Sequence, residues 1–355
     1  MNHPNRVTRL AARLERALLV TSLVNIRYLT GFTGTSAYLV MRPDGGTLIT
    51  DGRYIEMAQD LAAAIPGIDL KQHAANLMEV LVGAIGPDTE AFDVEADHVS
   101  WAFARRLQDA ATGRVLPATG IVEALRKVKD SDEVDALRRA AAAGDHAFAT
   151  LDGLLETAES EGDLGLGLID SMRAAGGDAA GWPPIVAVGA NAARPHHRSG
   201  AGDLAGAGLL LMDYGCVVDG YHSDMTRTVW IGDNTDPEMV EIHAAVLEAN
   251  EAGIAAALPG AKAHDVDEAC RAVLRAHGYE EFFVHSTGHG VGLEVHEAPW
   301  VKKDSEDVLE AGHVVTIEPG VYLPGKGGVR IEDMVLVTED GNDVLTRSTK
   351  EMRPA

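Results

Sequence analysis

The chain has 355 residues, of which 46% are hydrophobic and 24% are charged, a composition typical of globular domains rather than disordered segments. Its length predicts about two domains. The formal net charge of −24 disfavours nucleic-acid binding, because an acidic surface repels the phosphate backbone.

The first part of the chain, residues 1–125, predicts an α/β domain because short apolar runs alternate with helical stretches. Residues 17–20 and 37–41 are predicted strands, and a Pro-Asp-Gly-Gly turn joins the second to a partner strand over 47–50. Residues 54–64 predict a helix that Pro66 and Gly67 end. No cluster of catalytic residue types stands out in this part.

A second domain is predicted over residues 131–355, after the charged segment 127–130. Ser131 is the predicted N-cap of a long helix, since Asp132 and Glu133 then lie at the positive end of the helix dipole. Two more helices are predicted over 240–257 and 265–277, among β segments bounded by glycines.

The sequence predicts neither a membrane span nor a signal peptide. No stretch reaches the roughly 20 apolar residues that a helix needs to cross a bilayer. Residues 1–16 lack the apolar core of a leader. Cys216 and Cys270 are the only cysteines, too few for a disulfide framework. We therefore expect a cytoplasmic protein with neither membrane nor nucleic acid among its partners.

Several common catalytic motifs are incomplete. The glycines at 288–292 do not have the spacing of a dinucleotide fingerprint, and residues 296–300 (HEAPW) are not the H-E-x-x-H of zinc peptidases. The sequence contains neither a P-loop nor a G-x-S-x-G elbow. These observations disfavour nucleotide-dependent, serine-hydrolase and zincin-type chemistry.

Two acids are predicted to lie side by side on a hairpin. Asp219-Gly220 is a strong two-residue turn between the runs 209–213 and 224–230. Residue 213 then pairs with residue 226, and alternation places Asp224 on the same face as Asp213, roughly 7 Å away or less. Like charges at that distance are unfavourable unless something neutralises them, and a divalent metal would do so.

Two further acids and a histidine lie in similar positions. Glu318 ends the β-branched run 314–317, and Glu332 lies inside the predicted strand 328–337, where alternation gives it the same face as Arg330. An ionised acid in an apolar strand is costly unless it is paired or metal-bound. His289 lies among glycines, which let the backbone approach a ligand closely.

Each of these residues also has an ordinary structural interpretation. Asp224 could be a surface residue or pair with Arg227, and Asp213 and Glu318 could cap turns. Glu332 could pair with Arg330 in this way, and His289 could be a hydrogen-bonded loop histidine. Four acids and one imidazole lie at the ends or in the middle of apolar runs. Taken together, they make a metal site about as well supported as these alternatives.

Five motifs, in order, closely resemble the pita-bread metallopeptidases, and within them the proline-specific branch of prolidase and aminopeptidase P. The motifs are 212–215 (MDYG), 223–228 (SDMTRT), 288–297 (GHGVGLEVHE), 316–320 (TIEPG) and 328–333 (GVRIED). The resemblance covers residues from about 131 to 348, and segments 25–32 and 50–54 resemble the creatinase/prolidase N-terminal domain. It implies an α/β N-terminal domain followed by an α+β pita-bread catalytic domain.

The resemblance implies a site for two divalent metal ions. Its implied ligands are Asp213, Asp224, His289, Glu318 and Glu332, with Asp224 and Glu332 bridging both ions. Four carboxylates balance the charge of two divalent ions. Ligation by oxygen and one imidazole suits Mn²⁺ best, with Co²⁺, Zn²⁺ and Fe²⁺ as alternatives.

The same resemblance implies a hydrolytic mechanism in which a water shared by the ions is the nucleophile and Glu318 moves its proton. The implied supporting and substrate-contact residues are His196, His285, His296 and Arg330. The expected reaction is hydrolysis of the bond between an N-terminal residue and proline in short peptides, and a homodimer is expected. Trp300 stands where dipeptidases often carry an arginine that binds the substrate carboxylate, so Xaa-Pro dipeptidase and aminopeptidase P both stay open.

Two other classes of function remain as alternatives. One is a metal-dependent hydrolase or lyase on the same fold that does not act on peptides, which a substrate panel would separate from a peptidase. The other is a non-catalytic binding module. Retention of all five implied ligands argues against it, and metal analysis would test it.

Overall fold

The structure is a computed structural model that describes residues 1–205, 208–232 and 236–352. The chain divides into two compact units, Met1–Arg126 and Lys127–Ala355. Within the described ranges, no helix is long and apolar enough to cross a membrane.

The first unit is built on a six-stranded mixed sheet, ordered β4-β3-β2-β1-β5-β6. Its elements are α1 (His3–Ala11), β1 (Leu18–Val20), α2 (Leu23–Thr30), β2 (Ala37–Arg42), β3 (Gly45–Thr50), α3 (Ile55–Ala63), β4 (Ile68–Gln72), α4 (Leu77–Ile85), β5 (Ala91–Glu95), α5 (Trp101–Ala110), β6 (Arg114–Ala118) and α6 (Glu123–Arg126). The predicted hairpin is confirmed, because β2 pairs antiparallel with β3. Apolar strand residues such as Leu19, Val40 and Phe92 pack in its core.

The second unit packs helices against antiparallel sheets, as the predicted α+β catalytic fold requires. Its helices are α7 (Ser131–Ala149), α8 (Leu151–Leu155), α9 (Glu161–Ala174), α10 (Pro237–Ala256) and α11 (Ala263–Ala276). Its strands are β7 (Ala179–Ala180), β8 (Ile185–Val188), β9 (Gly208–Tyr214), β10 (Cys216–Val218), β11 (Tyr221–His222), β12 (Met225–Ile231), β13 (Gly288–Gly290), β14 (Glu297–Val301), β15 (Val314–Ile317), β16 (Gly320–Leu323), β17 (Gly327–Arg330), β18 (Asp333–Val337) and β19 (Asn342–Val344). One core joins residues of α7 and α9 to β8, β9 and β12, and a second joins α10 and α11 to β15, β17 and β18.

The cap of α7 differs from the prediction. Asp130, not Ser131, is the N-cap: its carboxylate accepts a hydrogen bond from the Glu133 amide at 3.0 Å. The Glu133 carboxylate accepts one from the Asp130 amide at 3.0 Å in return. This reciprocal pair is a capping box, which satisfies two backbone donors where a serine at 131 would satisfy one.

The hairpin predicted at Asp219-Gly220 is confirmed. Both residues have positive φ, 52° and 85°, as a two-residue hairpin turn of this kind requires. Thr226 pairs with Asp213, the register expected from the turn. The ladder is interrupted, however, so that Asp224 lies just before β12 rather than inside a strand. Gly215 allows this interruption, since a Cβ there would lie 1.9 Å from the Ser223 carbonyl oxygen.

The segment predicted as one strand over 328–337 is two strands, and Glu332 lies between them. β17 pairs with β16, whereas β18 pairs with β15. Two hydrogen bonds to residues of β12 fix the backbone of Glu332 between the strands. The Glu332 amide donates to the Thr226 carbonyl at 3.1 Å, and the Arg227 guanidinium donates to the Glu332 carbonyl at 2.6 Å. The alternation argument that gave Arg330 and Glu332 one strand face therefore does not apply.

Candidate metal centre

A cavity of about 450 Å³ in the second unit collects the residues singled out from the sequence. The five implied ligands and the four implied supporting residues all line it: His196, Asp213, Asp224, His285, His289, His296, Glu318, Arg330 and Glu332. Trp182, Ile185, Pro195, Val295 and Trp300 give the cavity an apolar part.

The acids and His289 come from separate elements that meet at this cavity. Asp213 lies near the end of β9, and Asp224 immediately precedes β12. His289 is in the middle of β13, Glu318 directly follows β15, and Glu332 fills the gap between β17 and β18. Because four of the five lie at or beyond strand ends, their side chains converge from different sheets.

Three overlapping groups of side chains could each hold a metal ion, since their ligand atoms lie within 4.8 Å of one another. They are Asp213, Asp224 and Glu332; His289, Glu318 and Glu332; and Asp224, His289 and His296. The His289 Nε2 atom is 3.4 Å from a Glu318 oxygen and 3.7 Å from an Asp224 oxygen. The first two groups share Glu332, as a bridging carboxylate would. His296 is an additional potential ligand that the sequence analysis did not count.

The electrostatics of the cluster favour a bound cation. Burial, followed by the charges of neighbouring carboxylates, raises the pKa of Asp224 and Glu318 well above their usual values, and that of Glu332 to about 8. Burial lowers the pKa of His289 to about 4, so its imidazole is neutral at physiological pH, which is the metal-binding form. In the described part of the chain, no donor reaches the buried Oδ1 atom of Asp213. Divalent cations would satisfy all of these groups.

The structure does not show the two ion pairs that were the alternative interpretation of Asp224 and Glu332. Arg227 pairs with Asp333 at 2.7 Å rather than with Asp224. Arg330 pairs with Asp213 at 2.5 Å. Glu332 instead accepts a hydrogen bond from the Thr226 hydroxyl at 2.7 Å.

A hydrogen-bond chain links Arg330 to His285 through Tyr322. Arg330 Nη1 donates to the Tyr322 hydroxyl at 2.7 Å. The Nδ1 atom of His285 donates to the Ser286 carbonyl at 2.8 Å, which leaves Nε2 to accept from the Tyr322 hydroxyl at 2.8 Å. Burial lowers the pKa of His285 to about 3, so this imidazole stays neutral.

The other two histidines reach the cavity differently. The His296 ring meets that of His289 edge-to-face, with centroids 4.3 Å apart, and burial lowers the pKa of His296. His196 is exposed and lines the cavity. Its neighbour His197 does not; it pairs with the buried Glu161 at 2.8 Å.

Sequence reasoning missed two polar residues that organise the site. Thr226 bonds to Glu332 and also accepts from Arg330 Nε at 3.0 Å. The predicted pairing with Asp213 already placed Thr226 on the acidic face, but its hydrogen bonds to Glu332 and Arg330 had no signal in the sequence. Tyr322 carried no such signal, because only the packing of β16 against β17 brings its hydroxyl to Arg330.

Comparison with known families assigns both parts of the chain. Residues 135–339 match metallopeptidase family M24, and residues 6–128 match the creatinase/prolidase N-terminal domain. The first match spans more than half of the chain, and the chain belongs to metallopeptidase family M24. The family and the observed cluster of carboxylates and imidazole together give divalent metal ions as its cofactor.

Similar proteins include proline-specific peptidases. The Xaa-Pro dipeptidase of Pyrococcus furiosus is 30% identical over 340 residues, covering 94% of each chain. The structure of a Xaa-Pro dipeptidase from Bacillus anthracis matches with a TM-score of 0.94 at 33% identity and covers 100% of both chains. That of an X-Pro aminopeptidase from Thermotoga maritima matches with a TM-score of 0.85 at 29% identity and covers 96% of this chain and 97% of its own.

Proposed function

We propose that this chain is a metal-dependent Xaa-Pro peptidase, which hydrolyses the bond between an N-terminal residue and proline in short peptides. The observation that carries the proposal is the convergence of four carboxylates, four imidazoles and Arg330 on one cavity with an apolar part. Similarity to Xaa-Pro dipeptidases over nearly the whole chain supports it.

In this proposal, the cluster holds two divalent ions, most favourably Mn²⁺. Asp213, Asp224, His289, Glu318 and Glu332 would hold the ions, and Asp224 and Glu332 are the carboxylates that occur in two of the potential ligand groups, which would suit bridging roles. When bound, the ions supply Lewis-acid activation of water and of the scissile carbonyl. Oxygen-rich ligation favours Mn²⁺ over a metal that prefers thiolates.

The chain's own residues would then move the proton and steady the developing charge. The Glu318 carboxylate lies in the cluster, 3.4 Å from His289 Nε2, where it could accept the proton of the attacking water and pass it on. His296 would donate a hydrogen bond to the developing oxyanion, with His196 in contact with substrate. Arg330 would fix Asp213, and His285 would fix Tyr322 beside it.

Selectivity for proline would come from the apolar part of the cavity. Trp182, Ile185 and Pro195 offer a surface for the pyrrolidine ring. The proline nitrogen carries no N–H once it is in a peptide bond, so a site without an acceptor there does not leave a donor unsatisfied. The indole of Trp300 cannot form the bidentate ion pair that an arginine makes with a terminal carboxylate. Without that ion pair, restriction to dipeptides is not required. Aminopeptidase P, which would cleave longer peptides, is therefore the second candidate beside the Xaa-Pro dipeptidase.

We also propose the domain limits and setting expected from the sequence. Residues 1–125 would form the creatinase/prolidase-like domain and residues 131–355 the catalytic domain, in a homodimer located in the cytoplasm. The free, buried state of Cys216 and Cys270 is consistent with a reducing compartment.

A peptide-length series after loading with Mn²⁺ tests the proposed function. Ala-Pro, Ala-Pro-Ala and longer Ala-Pro peptides are the substrates, and Ala-Ala is the matched control. We expect cleavage before proline and little cleavage of Ala-Ala. The length dependence separates dipeptidase from aminopeptidase P. A protein that mass spectrometry shows to hold its metal but that releases no product from any Xaa-Pro peptide would refute the proposal.

A further inference from the structure

Glu161, the first residue of α9, is a buried acid that lies outside the cavity and binds one loop through both carboxylate oxygens. Its Oε1 atom accepts hydrogen bonds from the Val188 amide at 2.9 Å and the Asn191 side chain at 2.8 Å. Its Oε2 atom accepts from His197 Nε2 at 2.8 Å and from the Gly200 amide at 3.3 Å. All four donors belong to the segment 188–200, which we call the histidine loop.

The backbone of α9 holds the same loop. The Glu161 amide donates to the Gly202 carbonyl at 2.9 Å, and the Gly162 amide donates to the Gly200 carbonyl at 3.0 Å. A Cβ on Gly202 would lie 2.4 Å from the Glu161 carboxyl carbon. The end of the histidine loop therefore packs directly on the first turn of α9.

The carboxylate of Glu161 is suited to hold the loop as an anion. Burial acts to raise its pKa, but the hydrogen bonds from His197, Val188 and Asn191 outweigh burial and hold the pKa below its usual value. Hydrogen bonds to an ionised acceptor are about twice as strong as neutral ones. A neutral isostere would therefore bind the same donors less well.

Two residues of the histidine loop, Pro195 and His196, line the metal-site cavity. They lie between the donors Asn191 and His197, so the loop is fixed on both sides of the cavity residues. We infer that Glu161 is a positioning residue that holds the histidine loop in the conformation that places His196 at the cavity. The inference rests on the proposed function, because His196 is there assigned to substrate contact.

The main test is Glu161→Gln, measured as kcat and KM on the best Xaa-Pro peptide of the length series. Glutamine presents an NH₂ group to two of the four donors, so the loop loses its fit although the side-chain volume is unchanged. We expect a roughly tenfold fall in kcat/KM with unchanged metal content. Glu159→Gln is the matched control, since Glu159 is exposed and two residues away; it should match wild type.

A double-mutant cycle distinguishes positioning of His196 from general destabilisation. If Glu161 acts through His196, Glu161→Gln should lower kcat/KM by less than about twofold when His196 is already replaced by alanine. A tenfold fall in kcat/KM in the His196→Ala protein would overturn the inference.

Hydrogen exchange supplies a readout that does not depend on activity. Exchange of the amides over 186–200 should be faster in Glu161→Gln than in wild type, whereas unchanged exchange there would overturn the inference. If wild type cleaves no Xaa-Pro peptide, the proposed function fails, and the exchange experiment still decides whether Glu161 holds the loop.

A second pair of variants serves if Glu161→Gln does not fold. His197→Leu removes one donor to Glu161, whereas His197→Gln keeps a side-chain N–H. We expect His197→Leu to lower kcat/KM and speed exchange in the loop, and His197→Gln to restore most of the loss. Equal effects of the two variants would contradict the role of the hydrogen bond.

Discussion

Replacement of Glu332 by glutamine should make the metal-free protein more stable at alkaline pH while abolishing its activity. Burial and the neighbouring charge of Asp213 raise the pKa of Glu332 from 4.5 to about 8. The folded protein therefore binds a proton between these two pH values that the unfolded chain does not. Since the folded state binds more protons, its stability falls as pH rises through this window. The neutral amide that Glu332→Gln introduces is free of this penalty.

The size of the effect follows from the shift in pKa. One pKa unit corresponds to about 1.4 kcal/mol, so the shift from 4.5 to about 8 corresponds to roughly 5 kcal/mol of stability lost across the window. The raised pKa values of Asp224 and Glu318 act in the same direction. A loss of this order is comparable to the total stability of many domains, about 5–15 kcal/mol.

The assay is urea unfolding of chelator-treated protein at about pH 5 and about pH 8, where most other carboxylates have finished titrating. The advantage of Glu332→Gln over wild type should be several kcal/mol larger at pH 8 than at pH 5. Histidines with a lowered pKa, such as His285 and His289, act in the opposite direction in both proteins and cancel from this difference. Glu339→Gln, which changes an exposed acid just beyond β18, should behave as wild type. Adding Mn²⁺ should restore the stability of wild type at pH 8, because ligands that bind only the folded state stabilise it. If wild type and Glu332→Gln show the same change with pH, the electrostatic account of the cluster is wrong.

Two further predictions concern the roles of single residues. Asp224→Asn should lower metal content, measured by mass spectrometry, and reduce kcat/KM by more than about 100-fold, because the proposed bridging ligand loses its charge. An Asp224→Asn protein with wild-type turnover would contradict the assigned role. His296→Ala should leave the metal content unchanged while kcat falls about 100-fold, since the proposed donor to the oxyanion is lost. Metal loss in His296→Ala would instead make His296 a ligand, as its place in one of the potential ligand groups allows.

Local sequence signals located most of the site residues. Asp219-Gly220 fixed its own turn through positive φ, and the period of two then fixed the pairing of Thr226 with Asp213. Glu318 could be placed at the end of a strand because the β-branched run stops there. These signals work because turn conformation and side-chain alternation are set by residues within a few positions of one another.

Long-range contacts decided the features that the sequence did not predict. The strand break at Glu332 depends on Thr226 and Arg227, about one hundred positions away in the chain. The resemblance implies His196, and a long-range contact supplies the physical reason that its neighbour is not at the cavity, since Glu161 takes His197 as a hydrogen-bond partner. Neither partner could be identified from sequence spacing.

The sequence by itself therefore determined which acids and which imidazole lie in or beside apolar strand segments, and hence the chemistry that the chain can support. Only the tertiary structure decided which cation pairs with which acid, giving Arg330 to Asp213 and Arg227 to Asp333. The physical reason is that an ion pair needs its two charges within about 4 Å, and the packing of separate sheets sets that distance.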